Sequence, residues 1–329
     1  MKEVMGMFDM KKVGKQIAML RKGQKITQMA LADQLGVSFQ AISNWERGET
    51  MPDISKLPDL ARIFEVSIDD ILDEGKGTRI VKGLIENETL MESEPIDVDE
   101  FINAAPIITI DQADRVYQNI QGEISSKELS MIAPFISQEL FDSLARKEFE
   151  SSGLEGLSSI ASFIGQHVID QCARMEFETN GLKGLTAVAP FISQEVIDES
   201  AKIEAEANGI EGLTSMSPFI SQDILDLFAE KEFETNGLQA LSSMAPFISE
   251  DVLSSCTKKS YESKGIHSIA PVAPFIKTEL INELALDAIS KKGIKEIMPI
   301  APFIDKNLLE GVISKELITM SVSTSISLT

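Results

Sequence analysis

Cysteine is almost missing from this chain: Cys172 and Cys256 are the only two in 329 residues. So few thiols exclude a disulfide framework and fit a reducing cytosol. Histidine is as scarce. His167 and His267 have no Cys or His cluster beside them, so no metal site is expected. No Gly-rich phosphate loop and no nucleophile motif occurs, so neither an enzyme nor a bound cofactor is expected. No apolar run is long enough for a membrane span. The opening MKEVMGMFDM lacks the apolar core of a secretion signal, and a cytoplasmic location is the expectation.

Positive charge is also in short supply, with a formal net charge of −22. Its distribution matters more than its sum. Residues 1–66 hold 10 basic and 8 acidic side chains, a net +2, and the other 20 basic and 44 acidic give −24. Phosphate would repel the larger part. Any nucleic-acid function belongs to the front of the chain, where Lys11, Lys12, Lys15, Arg21, Lys22 and Lys25 cluster as candidate phosphate contacts.

That front contains TQMALADQLGVSFQAISNWERG, from Thr27 to Gly48. It reads as two short helices joined by a tight turn at Gly36. Thr27 and Ser38 are candidate N-caps, since each side chain can accept an orphan backbone N–H. Leu31, Ala32 and Leu35 form an apolar stripe that faces Val37, Ile42 and Trp45. Phe39, Gln40, Ser43 and Asn44 are left on one outer face of the second helix. Exposed amides can make bidentate bonds to a base edge, and a ring can touch a thymine methyl.

Residues from about Val13 to Leu72 resemble the Cro- and repressor-type (XRE) helix-turn-helix regulators. The matching residues are Gln28, Leu31-Ala32, Gly36, Ile42-Ser43, Trp45-Glu46-Arg47-Gly48, Leu60-Ala61, Phe64 and Val66. The resemblance implies a five-helix bundle whose third helix enters the major groove of double-stranded operator DNA, usually as a homodimer. Carried over, Gln28 and Ser38 bind phosphate, Phe39, Gln40 and Asn44 face bases with Ser43 beside them, and Arg47 holds the DNA backbone. Arg21 and Glu46 form a structural pair. Phe39 departs from the polar residue common at its position, so readout there is apolar.

The rest of the all-α chain reads as follows. Residues 1–10 form a flexible start and 11–73 the DNA-binding domain. Residues 74–96, with Gly75, Gly77, Gly83 and a run of glutamates, read as a linker holding one short helix near Ile80–Ile85. Residues 97–317 are an internal repeat. Ala-Pro-Phe-Ile or a close variant begins at 133, 161, 189, 217, 245, 273 and 301, always 28 residues apart, with a degenerate copy at Ala105. Each unit reads as two helices. In 189–216, Ser193 caps the first, Gly209 ends it in a left-handed position, and Pro218 stops the second. Phe191, Ile192, Val196 and Ile197 supply inward bulk, and Ala201 a small crossing surface. Stacked units of this kind make an α-solenoid.

Glu148, Glu176, Glu204 and Glu232 share one repeat position, and Glu150, Glu178, Glu206, Glu234 and Glu262 another. These rows read as a solvated face or as a docking track for a basic peptide or protein. Lys258, Lys259, Lys264, Lys291, Lys292 and Lys295 follow, and could meet an acidic part of a second subunit. The tail, 318–329, alternates apolar and hydroxyl residues like an edge strand. Two functions fit: a regulator whose repeats bind a peptide or protein or set the oligomeric state, or a scaffold protein with no DNA role.

Overall fold

The computed structural model describes residues 10–72, 77–86 and 95–314, so the 318–329 tail and residues 1–9 lie outside the described residues. The chain is all-α, a helix-turn-helix bundle followed by helical repeats. It divides into two compact units, Met1–Val168 and Ile169–Thr329.

The first unit opens with five helices: α1 (Met10–Gly23), α2 (Gln28–Leu35), α3 (Phe39–Arg47), α4 (Leu57–Phe64) and α5 (Ile68–Leu72). Their core is Ile17, Leu31, Ile42, Leu57, Leu60, Phe64 and Ile71, all buried. Local chemistry sets the boundaries. Pro58 sits in the first turn of α4, where its missing N–H is not needed. Asp70 accepts from the Ser67 backbone N–H at 2.9 Å while Ser67 Oγ accepts from the Asp70 N–H at 3.1 Å, so the shorter acid completes the capping box.

The stretch read as a linker is corrected in part. Its described residues form α6 (Thr78–Glu86), which buries Ile80 and Val81 and packs on α7 (Val98–Ala104). A Cβ on Gly77 would lie 2.9 Å from the Glu100 carbonyl oxygen, so the chain passes α7 at backbone contact. Arg79 pairs with Glu100 at 2.5 Å, and Lys82 pairs with Asp69. The Ile54 N–H donates to the Ile107 carbonyl at 3.2 Å, tying the five-helix head to the degenerate first repeat. The short helix expected near Ile80–Ile85 is α6, and its apolar face has a partner in α7. A freely moving head is therefore not what this packing gives.

After α8 (Ile110–Tyr117), α9 (Ser126–Ile132), α10 (Gln138–Leu157) and α11 (Gln166–Asn180), the repeats alternate one α-helix with short 3₁₀ segments: α12 (Gln194–Asn208), then Ile210–Leu213 and Ser217–Phe219, and so on through α13 (Gln222–Asn236), α14 (Glu250–Lys264) and α15 (Thr278–Lys292). From Leu182 onward the second helix of each unit is thus 3₁₀ rather than α. Ile210, Leu213 and Met216 recur every three residues, which is the 3₁₀ period, and all three are buried. Gly209 has φ +70° but ψ −174°, a conformation essentially restricted to glycine, rather than the left-handed helical one expected. Ile192, Val196, Ile197 and Ala201 are buried as expected. Phe191 is not: it is 38% exposed. Cys172 and Cys256 are buried free thiols, and burial pushes the Cys256 thiol up to about 11, far from a reactive thiolate.

A polar ladder that the apolar pattern did not reveal joins successive repeats. Asp198 Oδ1 accepts from the Ser221 N–H at 2.9 Å, and Asp226 from the Ser249 N–H at 2.8 Å. Asp114, Asp142 and Asp170 do the same one repeat on, for Ser137, Gly165 and Ser193. Gln194 Nε2 bridges Asp198 (3.0 Å) and the Phe219 carbonyl (2.9 Å), as Gln222 bridges Asp226 and the Phe247 carbonyl. Each rung fixes the start of the next helix. Asp198→Ala removes an acceptor and strands two donors, and is expected to cost about 1–3 kcal/mol. Hydrogen exchange at Ser221 and its neighbours, compared with that at α15, measures this.

The first glutamate row is corrected by the same logic. Glu204 Oε2 accepts from the Leu182 N–H of the preceding repeat at 3.2 Å, and its Oε1 from Asn208 Nδ2 at 2.7 Å. Glu232 repeats this with Ile210 and Asn236. These carboxylates are repeat-to-repeat staples, already engaged. Glu178, Glu206, Glu234 and Glu262 are exposed.

Candidate nucleic-acid interface

Helices α2 and α3 are set by their caps. Thr27 Oγ1 accepts from the Ala30 N–H and Ser38 Oγ from the Ala41 N–H, each at 3.1 Å. Gly36 (φ +63°) and Gly48 (φ +68°) close them in left-handed turns. Trp45 and Ile42 face the core. That rotation turns Phe39 outward, 45% exposed, with Gln40 beside it.

The outer face is pre-ordered. Gln40 Nε2 donates to Asn44 Oδ1 at 3.0 Å, and Arg47 Nη2 donates to the same oxygen at 2.7 Å. Both bonds use the oxygen, which leaves the Asn44 amide N–H groups for an acceptor such as a purine edge. Arg47 also donates to Ser43 Oγ. It grips Glu49 through two bonds, 2.7 and 2.9 Å, and the Arg47 guanidinium holds the Glu49 carboxyl below its usual range. Reading the sequence did not point to Glu49, since an acidic residue beyond the helix end carries no pattern. Ser38 Oγ, though used as a cap acceptor, keeps its O–H to donate.

Behind this face lies the Arg21–Glu46 pair, as the resemblance implied. Arg21 Nη2 reaches Glu46 Oε2 at 3.0 Å, and Arg21 Nη1 donates to the Ile26 carbonyl at 2.7 Å. Gln28 Nε2 donates to Glu46 at 2.7 Å. Arg21 is buried, so it leaves the set of surface phosphate contacts and becomes part of the bundle's interior. Lys11, Lys12, Lys15, Lys22 and Lys25 remain exposed. Lys15 and Lys22 of α1 line an open cleft of about 540 Å³ with Gln28, Ser43 and Arg47 of α2 and α3. Gln28, Ser43 and Arg47 thus share this cleft, Gln40 and Asn44 are joined to Arg47 by hydrogen bonds, and the buried Arg21 lies beneath.

A helix-turn-helix family model matches residues 17–71. The uncharacterized HTH-type transcriptional regulator YqaE of Bacillus subtilis (strain 168) is 32% identical over 98 residues, covering 28% of this chain and 84% of that one. This chain belongs to the helix-turn-helix family of transcriptional regulators. Its membership rests on the Cro/repressor-type (XRE) front domain. The HTH-type transcriptional activator BcrR of Enterococcus faecalis is 45% identical over 53 residues, 16% of this chain and 26% of the activator. Repressor protein C2 of Salmonella phage P22 is 43% identical over 60 residues, 18% and 28% of the two chains. The chain therefore spans only about a quarter of those two relatives. The apo form of ComR from S. thermophilus is similar at 14% identity over 77% of this chain and 99% of that one, with a TM-score of 0.19. The matched residues contain α2 and α3, the two helices of the turn motif. Among the described residues no helix is long and apolar enough to cross a membrane.

Proposed function

We propose that this regulator binds a specific operator in double-stranded DNA as a homodimer, and that its repeat region binds a peptide or protein or sets the oligomeric state. The reading is of a cytoplasmic DNA-binding switch with no catalytic role. One observation carries it: the ordered Gln40–Asn44–Arg47 face of α3, with Phe39 exposed at its start. In this reading α3 lies in the major groove. Phe39, Gln40 and Asn44 read bases. Gln28, Ser38, Ser43 and the α1 lysines hold phosphate. Arg47 exchanges Glu49 for the DNA backbone. Two heads would meet half-sites about 34 Å apart. The acidic repeats stay off the duplex.

Partly exposed rings at Phe163 (40%) in one unit, and at Phe191 (38%) and Phe275 (43%) in the other, support a protein or peptide contact along the repeats. A gel-shift assay at several salt concentrations, on fragments from an unbiased selection of bound DNA, tests the DNA reading. Gln40→Ala with Asn44→Ala is expected to weaken operator binding by about 100-fold, at roughly 1–3 kcal/mol per amide pair, while non-specific binding persists. Absence of any binding at low salt would overturn it in favour of a scaffold.

A further inference from the structure

The staples described above define a seat. It consists of the backbone N–H after the repeat glycine, a glutamate from the next repeat, and an asparagine four residues beyond that glutamate. Glu204 with Asn208 fills the seat at Gly181, and Glu232 with Asn236 fills the one at Gly209. A Cβ on either glycine would meet the carboxylate oxygen, at 3.2 and 3.1 Å.

Two repeats on, both partners change together. Ala288 stands where the glutamate would be and Lys292 where the asparagine would be. The donor has become a cation and the acceptor has gone. At Gly265 an added Cβ would meet nothing within 4 Å. The seat between, at Gly237, differs again. Ser260 replaces its glutamate, but Lys264 Nζ occupies it, 3.1 Å from the Cβ position. The seat at Gly265 instead opens into a cleft of about 410 Å³ lined by Tyr261, Lys264, Ile266, Ala288, Lys291 and Lys292. Lys291 is held by Asp287 at 2.6 Å and lies over the Tyr261 ring, whose hydroxyl also donates to Asp287. Among the described residues Lys264 and Lys292 have no such carboxylate partner. Glu262 and Glu296 also line the cleft, and Glu296 faces His267 at 3.7 Å. That mixed lining disfavours a polyanion and suits one carboxylate.

We propose that this cleft binds a carboxylate group from outside the chain, with Lys292 and the Ile266 N–H as its donors and the Tyr261 ring beside its stem. The group belongs to a small acid or to the C-terminus of a peptide. The inference names the ligand chemistry of the repeat region and rests on the proposed function for its regulatory meaning.

The test uses the full chain labelled with ¹⁵N-isoleucine, the Ile266 resonance being assigned through Ile266→Val. Acetate is titrated first, then tetra-alanine with a free or an amidated C-terminus. The Ile266 amide is expected to move with acetate or with the free-acid peptide, and not with the amidated one. Tighter binding of the peptide than of acetate assigns the peptide source, and equal binding the small acid. Ala288→Glu should fill the seat from within, abolish the shift and raise the melting temperature. Lys292→Gln should weaken binding about tenfold, the loss of one charged hydrogen bond. No movement of Ile266 with any probe, or the same movement in Ala288→Glu, overturns the proposal. Gel shift and the Ile266 resonance are separate readouts, so failure of DNA binding leaves this result standing and the reverse holds too.

Discussion

Gly14→Ala is expected to unfold the head at physiological temperature. Gly14 lies in the middle of α1, where the helix crosses the end of α3. A methyl there would sit 2.2 Å from the Trp45 carbonyl oxygen and 3.0 Å from that of Glu46. Those atoms are backbone and cannot rotate away. Helix α1 would have to lift by more than an ångström, opening the core at Val13 and Ile17, which are buried against it. Overpacking usually costs about 1–3 kcal/mol, and this clash lies at the upper end or beyond. Alanine's better helix propensity returns only about 1 kcal/mol. Gly23→Ala is the control, since a Cβ there meets nothing within 4 Å. It should be neutral or mildly stabilising. The readout is Trp45 fluorescence. Trp45 is the only tryptophan in the chain and is buried in α3, so its emission follows the head alone. That matters because a chain of two compact units need not unfold in one step.

Glu46→Ala should be at least as damaging. It leaves the buried Arg21 guanidinium with the Ile26 carbonyl but no counter-charge, and it strands the Gln28 amide. Breaking one side of a buried pair costs about 3–5 kcal/mol, because the remaining charge is left uncompensated. The same pair makes the head sensitive to acid. Burial works to raise the Glu46 pKa. The hydrogen bonds from Arg21 and Gln28 and the guanidinium charge outweigh it, and the net direction is downward. A carboxyl whose folded pKa is depressed adds stability that is present above the ordinary glutamate range and fades as pH falls through the folded value. The Trp45 transition should therefore shift to lower denaturant on acidification, and Glu46→Gln should flatten that dependence. An acid transition unchanged in Glu46→Gln would show that other carboxyls govern it.

The head was legible from residue types alone, because capping and glycine turns are local. Ser38, Gly36 and Gly48 announce where helices start and stop whatever surrounds them. The role of Gly14 is not, since its reason is the carbonyl of Trp45 in a separate helix. The repeat period is plain in the sequence, yet the polar partners within it are not. The first glutamate row reads as a solvated face or a docking track because an isolated Glu carries no mark of its partner. Pairing it with the 28-residue recurrence of asparagine four positions on, at 180, 208 and 236, would have exposed the staple. The Gln–Asp pairs at 138/142, 194/198 and 222/226 carried the same signal. Helix α6 is legible in the helical spacing of Ile80, Val81 and Leu84, but its packing on α7 is not, because nothing local marks that distant partner.

The rungs between repeats are not uniform. Ser254 stands where Asp198 and Asp226 stand earlier, Glu250 replaces the bridging glutamine, and Lys277 replaces the capping serine. A solvent-exposed Glu250–Lys277 contact takes the place of the backbone bonds, and in Asn282 the side-chain rung to Asp305 returns. Exposed ion pairs contribute little. The array thus has a seam between α14 and α15. Pulled or heated, it should part there first, releasing its last repeats as a block while those before the seam stay zipped.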